Sequence, residues 1–385
     1  MGRFRDALAG PGVTAIAEVK RRSPSAGDLR PDAHPAELAA SFAGAGAAAV
    51  SILVDERFAG SIDDLRAARQ ATEIPLLGKG FFRRVEDLEA LRAAGADAVL
   101  LLLRDLDDRE ARALMDAARH LGLDSLVEAH DADELRRAVK LGADPIGINA
   151  RDLTSFEIDL RTQLELVAGA PRDRVVVAES GISNRAQVLR AELAGADTIL
   201  VGSTLMRAPE PAVALRHLVS RPVVKVCGLT REEDVAAAAD AGADLAGFIL
   251  AERSPRRAPG VLPVPETMLS VAVYVGEPGG APADLVQLYE HEEGKVRGRD
   301  GILLRDGTRV ARVVDLPWQE QDPAHLERAR AANGRVVLAG GLAPENVRAA
   351  IDAVRPWAVD ASSRLEREPG IKDHARVRAF VEAAR

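Results

Sequence analysis

The sequence predicts an α/β protein made of two tandem (β/α)8 TIM barrels, the second shortened or atypical. Three observations carry this expectation. A Gly-Ala-(Asp or Ala) step followed by an apolar run recurs at Gly46, Gly95, Gly142, Gly195 and Gly242, with gaps of 49, 47, 53 and 47 residues. Each glycine follows a helical pattern, as in DADELRRAVKLGAD, where Leu135, Ala138 and Val139 share a face. The strand candidates are apolar throughout, which suits a parallel sheet covered on both sides.

In order, the strand candidates of the first half are TAIAEVK, AVSIL, IPLLGK, AVLLLL, DSLVE, IGIN, RVVVAES and TILVG. Eight strands close one barrel by about residue 219, giving a first domain over 1–219. An open doubly wound sheet is the competing arrangement, but no GxGxxG opens a helix after the first strand. The count restarts at PVVKVCGLT. From there LAGFIL, SVAVYV, DLVQLY, GTRVARVVD, RVVLAGG and PWAVDASS read as strands, with GILL as a further candidate. This second domain, 222–385, has 164 residues, fewer than the roughly 200 at the low end for such a barrel. A trimmed barrel or a degenerate unit is expected there.

Composition narrows the function. The chain has 385 residues, 47% hydrophobic and only 3% aromatic, so its core is built from Ala, Val, Leu and Ile. Lys plus Arg total 51 against 59 Asp plus Glu, a net charge of −8. That balance argues against nucleic acid as a partner, because such binders carry a basic stripe. No apolar run reaches the roughly 18 residues of a bilayer span, so no membrane partner is expected. The single cysteine excludes a disulfide framework and fits a reducing, cytoplasmic setting. None of the seven histidines shows ligand spacing, so no metal site is expected.

In barrels of this kind the active site forms where the strands end. The residues just past each apolar run in the first half are Glu18 and Lys20, Lys79, Glu128, Asn149, and Glu179 with Ser180. Two lysines brought together are expected to depress one another's pKa toward the range useful for proton transfer. Ser180 with Gly181, and Gly202 with Ser203, follow the last two strands, where backbone N–H groups often hold phosphate. Cys227 ends the strand VVKV. The capping-box pattern Thr230-x-x-Glu233 behind it raises the expectation of a reactive thiolate.

These segments resemble a known family. IAEVKRRSPS, GKGFF, LVEAHD, IGINARDL, VVVAESGI and ILVGSTLM resemble, in order, the strand-end motifs of indole-3-glycerol phosphate synthase. VKVCGLT, GFILAERSPRR, VQLY, LAGGLAPENV and VDASSRLEREPGIKD resemble phosphoribosylanthranilate isomerase. The order is that of fused bifunctional enzymes of tryptophan biosynthesis. For the first half the resemblance implies decarboxylating ring closure of a phosphorylated carboxyphenylamino-deoxyribulose. Lys79 would be the general acid at the ketone oxygen and Glu128 its acid/base partner, with Lys20 holding the substrate carboxylate. Glu18, Asn149 and Glu179 would position the substrate. Ser180, Gly181, Gly202 and Ser203 would cradle the phosphate, with Ser23 and Ser25 near it.

For the second half the resemblance implies an Amadori isomerisation. Cys227 would be the base at the sugar C2, Asp315 the general acid, Arg256 an anion contact and Asp360 a positioning group. Gly340, Gly341, Ser362 and Ser363 would hold phosphate. Both substrates are small phosphorylated sugar-anthranilates and no cofactor is implied.

Departures from the family pattern are also visible. The family carries about one more helical segment before its first strand, and the usual KDF reads Lys79-Gly80-Phe81. QLHG reads Gln287-Leu288-Tyr289-Glu290, and Leu316-Pro317-Trp318 stands where a glycine-rich loop is expected. A synthase with a non-catalytic C-terminal stabilising or docking module is therefore a second reading. An isomerase of histidine biosynthesis is a third, disfavoured because such enzymes use paired aspartates rather than the Lys20, Lys79, Glu128 set.

Overall fold

The computed structural model describes residues 2–10, 12–24, 27–151, 157–295, 297–317 and 319–385. The chain divides into two compact units, Met1–Val219 and Ser220–Arg385. Among the described residues, no helix is long and apolar enough to cross a membrane.

The first unit is a closed barrel of eight parallel strands. They are β1 (Thr14–Val19), β2 (Ala49–Leu53), β3 (Leu76–Lys79), β4 (Ala98–Leu102), β5 (Asp124–Ala129), β6 (Ile146–Asn149), β7 (Val176–Glu179) and β8 (Thr198–Val201). Each strand pairs with its sequence neighbours, and β8 closes onto β1 through Thr14↔Thr198 to Ala17↔Val201. Helices follow the strands, and the repeated glycines end helical segments with positive φ, as at Gly142 (φ 74). That left-handed turn is one glycine enters without a Cβ penalty.

Side chains alternate across each strand. Residues of one parity, including Leu101, Val127 and Ile148, pack outward among the helices. The other parity, including Ile16, Leu77, Leu126, Val177 and Leu200, fills the barrel interior. The short helix Arg3–Leu8 adds Phe4 and Leu8 to that interior cluster. Arg5 ties it to the strand starts, its backbone N–H donating to Asp124 and its Nε to Asp144. The helix therefore plugs the end opposite the strand C-termini.

The second unit is also a closed eight-stranded barrel, but a mixed one. Its strands are β9 (Val223–Cys227), β10 (Leu245–Ile249), β11 (Leu269–Val275), β12 (Leu285–Tyr289), β13 (Gly301–Arg305), β14 (Thr308–Val314), β15 (Val336–Leu338) and β16 (Ala358–Ala361). GILL is a true strand, β13, and it runs antiparallel to both β12 and β14. The turn between β13 and β14 is Asp306-Gly307, both with positive φ (49° and 75°), the conformation of a tight hairpin. One strand-helix-strand unit has thus collapsed to a hairpin. Residues 250–268 and 276–284 carry no helix either, and both are rich in proline or glycine. The unit is shortened by losing helices, not barrel strands.

Candidate active sites

In the first unit, alternation decides which strand-end residues face inward. Ile16, Leu77, Leu126, Val177 and Leu200 are interior, so Glu18, Lys79, Glu128, Glu179 and Gly202, two residues later, face the mouth. Asn149 joins them from β6. All of these except Glu179, which is fully buried against Lys79, line one cavity of about 490 Å³ with Lys20, Ser23, Ser180, Gly181 and Ser203. Ser25 lies outside the described residues.

The charges interlock. Lys79 Nζ lies 2.8 Å from Glu179 Oε2 and 3.3 Å from Glu18 Oε2, and Lys20 Nζ lies 2.6 Å from Glu18 Oε1. Asn149 Nδ2 donates to Glu128 Oε1 at 3.0 Å. Gln163 Nε2 donates to the carbonyls of Ile148 and Glu179, fixing the β6 and β7 ends to one another. Burial raises the Glu18 carboxyl, but Lys20 and Lys79 outweigh it and hold it down at about 2. For Lys79, burial lowers the pKa, and Glu179, Glu18 and Glu128 overcome that and raise it. The expected mutual depression of two lysines is therefore corrected. Carboxylates surround Lys79 closely enough to keep it charged.

Glu128 and Glu179 move in opposite directions. Burial raises Glu128, but the His130 and Lys79 charges bring it down. Burial raises Glu179, and the nearby Glu128 adds to it against Lys79. Glu128 Oε2 and Glu179 Oε1 are buried away from other donors, and the two carboxyls face one another, the raised Glu179 keeping a proton that the lowered Glu128 accepts.

Glycine makes the room. A Cβ on Gly147 would sit 2.2 Å from Glu179 Oε1, and one on Gly202 would sit 2.3 Å from Glu18 Oε1. Ser180 is held at φ 66 beside Gly181 at φ 73, a conformation costly for a residue with a Cβ and typical of functional loops.

The second unit repeats this logic with different chemistry. Lys225, Cys227, Gln287, Tyr289, Asp315 and Asp360 are buried. Except for Lys225 they line a cavity of about 590 Å³ with Arg256, Arg297, Gly340, Gly341, Ser362 and Ser363. Lys225 Nζ donates to Gln287 Oε1 at 2.8 Å and Asp360 Oδ2 at 2.7 Å. Gln287 Nε2 donates to Tyr289 Oη, and Tyr289 Oη donates to Asp315 Oδ2, both at 2.6 Å. Burial pushes the Asp315 carboxyl up against the opposing Arg297 charge. Asp360 Oδ1 and Ser362 Oγ are buried without a partner. Gly247 clears space for the cysteine, since a Cβ there would lie 2.7 Å from Sγ.

Two expectations about Cys227 are corrected. Burial raises its pKa despite the Lys225 ammonium, so the free site holds a thiol, not a thiolate. The pattern Thr230-x-x-Glu233 forms no capping box. The helix Glu232–Asp240 starts after Arg231, and Thr230 Oγ1 instead donates to the Gly370 carbonyl. Arg256 is also committed, with Nε 2.8 Å from Glu366 Oε2, while Lys372 Nζ lies 2.9 Å from Glu366 Oε1.

Comparison with known proteins decides the family. Residues 2–218 match the model for indole-3-glycerol phosphate synthase, and residues 319–383 match that for N-(5'phosphoribosyl)anthranilate (PRA) isomerase. A "Tryptophan biosynthesis protein TrpCF" of Yersinia pestis is 34% identical over 99% of this chain and 87% of its own length. The chain belongs to the fused synthase–isomerase family of tryptophan biosynthesis. An indole-3-glycerol phosphate synthase of Nocardioides sp. is 48% identical, over 57% of this chain and 83% of its own. A crystal structure of a phosphoribosyl anthranilate isomerase is 29% identical, covering 43% of this chain and 98% of that one, with a TM-score of 0.33.

Within this family frame, the isomerase match begins after Asp315, so Cys227, Tyr289 and Arg297 fall outside it. Sequence reasoning also missed several lining residues. In the synthase barrel these are Arg151 and Arg207, together with the Phe58–Phe81 stack at 6.5 Å between ring centroids. His130, two residues past Glu128, has Nδ1 3.1 Å from Glu134 and Nε2 3.1 Å from Glu128 Oε1, the latter off-line for a hydrogen bond. In the isomerase barrel Lys225 was signalled by its charge inside an apolar strand. Arg297, in an irregular loop, carried no signal.

Proposed function

We propose that each barrel mouth is an active site, the first for ring closure and the second for isomerisation. The chain is a bifunctional enzyme of tryptophan biosynthesis, a decarboxylating lyase joined to an isomerase. The observation that carries the site reading is the convergence of interior strand-end acids and bases on one cavity per barrel. The substrates are 1-(2-carboxyphenylamino)-1-deoxyribulose 5-phosphate and N-(5-phosphoribosyl)anthranilate. We place both reactions in the cytoplasm, with residues 1–219 and 222–385 as the two catalytic domains.

In ring closure the aromatic carbon bearing the carboxylate attacks the ketone carbon, and the carbonyl oxygen becomes an alkoxide. Lys79, kept protonated by its carboxylate neighbours, gives that oxygen its proton. Loss of CO2 restores a planar ring, and loss of water completes the indole. Glu128 serves the dehydration, taking and returning a proton. Lys20 meets the substrate carboxylate, while Glu18, Asn149 and Glu179 hold the reacting atoms in register. The phosphate sits at Ser180–Gly181 and Gly202–Ser203 with Ser23 beside it. Arg151 and Arg207 favour an anion in the same cavity. Burial and the neighbouring Arg207 lower the Arg151 pKa against the Glu18 charge, a cost that an anion would relieve further.

In isomerisation Asp315 protonates the furanose ring oxygen, so that the C1–O bond breaks and an iminium forms. Cys227, once ionised beside Lys225, removes the C2 proton to give an enolamine, which tautomerises to the ketone. Asp360 orients the sugar hydroxyls, Arg256 contributes positive charge, and Gly340, Gly341, Ser362 and Ser363 take the phosphate.

Incubating the purified chain with each substrate separately tests the assignment. Turnover of both is expected, and turnover of neither would contradict it. Inorganic phosphate should inhibit ring closure competitively, and noncompetitive inhibition would move the phosphate elsewhere.

A further inference from the structure

The family's histidine on the fourth strand of the second barrel is Tyr289 here, and an irregular loop brings Arg297 against it. Arg297 Nη2 lies 2.5 Å from Asp315 Oδ2 and 3.2 Å from the Leu316 carbonyl, and its guanidinium stacks 4.1 Å above the Tyr289 ring. Tyr289 Oη donates to the same Oδ2, and the Leu316 backbone N–H donates to Oδ1 at 2.6 Å. Three donors from three segments thus fix one buried carboxyl in rotation.

The loop that carries Arg297 is itself held. Arg299 lies 3.1 Å from Glu320 and 3.0 Å from Asp322, and Lys295 lies 3.5 Å from Glu320. These pairs span the stretch that stands where the family's glycine-rich loop is expected. A phenol replaces imidazole, and a tethered guanidinium covers it.

We propose that Tyr289 and Arg297 are positioning residues that set the orientation and acidity of Asp315 in this isomerase, in place of the usual histidine. The proposal rests on the reading of Asp315 as the general acid. A carboxyl that accepts from both a cation and a hydroxyl is easier to ionise than one that is buried alone. Removing either donor therefore makes Asp315 a weaker acid, with a higher pKa. Other groups facing Asp315 remain in both cases. Asp300 Oδ1 accepts from its backbone N–H at 3.4 Å, and Asp360 raises its pKa from β16. Cys227 lies across the cavity, and Lys225 reaches Tyr289 only through Gln287. From β15 and its loop the cavity receives Ala339, Gly340 and Gly341, none titratable.

The test is the pH profile of isomerase kcat/KM for the full chain carrying Tyr289→Phe or Arg297→Met. One limb, the one belonging to Asp315, should move to higher pH by about half a unit or more in each variant while the other stays in place. A purely structural role would lower kcat/KM evenly and leave both limbs where they are. That result in both variants would overturn the proposal. Asp315→Asn is measured alongside. Isomerisation at the parent rate in that variant would remove the general acid itself, a failure distinct from unmoved limbs.

Discussion

Lys79 shows how much one buried side chain depends on its neighbours. It sits among Glu18, Glu128 and Glu179, and those carboxylates, not a second lysine, set its charge. Lys79→Ala removes the proton donor we propose and should lower ring closure roughly a hundredfold or more, the usual scale for a lost general acid. A steady-state assay checks it, and isomerisation should hardly change. His130 makes a second residue-level prediction. Burial lowers its pKa, but Glu128 and Glu134 overcome that and raise it from 6.5 to about 10. A group protonated more readily when folded stabilises the fold fully below its unfolded pKa. That contribution is lost as pH rises through about 10. Thermal melts at pH 7 and pH 10 should therefore differ less for His130→Asn than for the parent. An equal difference would contradict the charge assigned to His130.

At the scale of elements, the site is a consequence of strand parity. Once the apolar runs are aligned, the residue two past the last interior aliphatic must face the mouth, which is why Glu18, Lys79, Glu128 and Glu179 were legible in the sequence. Gly147 was not, because its role depends on which side chain crosses in front of a neighbouring strand. Gly147→Ala places a methyl against Glu179 Oε1. The flexible end of Glu179 can swing aside, so a cost of about 1–3 kcal/mol from overpacking should come with a larger fall in kcat for ring closure. Chemical denaturation and kinetics on the same variant separate the two effects, and unchanged kcat would contradict the parity argument.

The second barrel was harder to read for a related reason. A parallel strand buried on both faces looks apolar throughout, whereas β14 carries the exposed Arg309 and Arg312. Those charges inside an apolar run and the Asp306-Gly307 pair are the signals of a hairpin, and they were obscured by the expectation of a repeating strand-helix unit. Arg297 was invisible because nothing local fixes where an irregular loop will set a long side chain.

For the whole molecule, the account holds that one chain carries two independent acid–base sites with separate residues. Cys227 bears most directly on this, since it is the single cysteine of the chain and lines only the second cavity. The deciding measurement is the pair of activities, ring closure and isomerisation, assayed on one preparation of the Cys227→Ala protein. The account predicts that isomerisation is abolished while ring closure stays at the parent rate. Isomerisation that survives, or ring closure that falls with it, would contradict the division of chemistry between the two barrels.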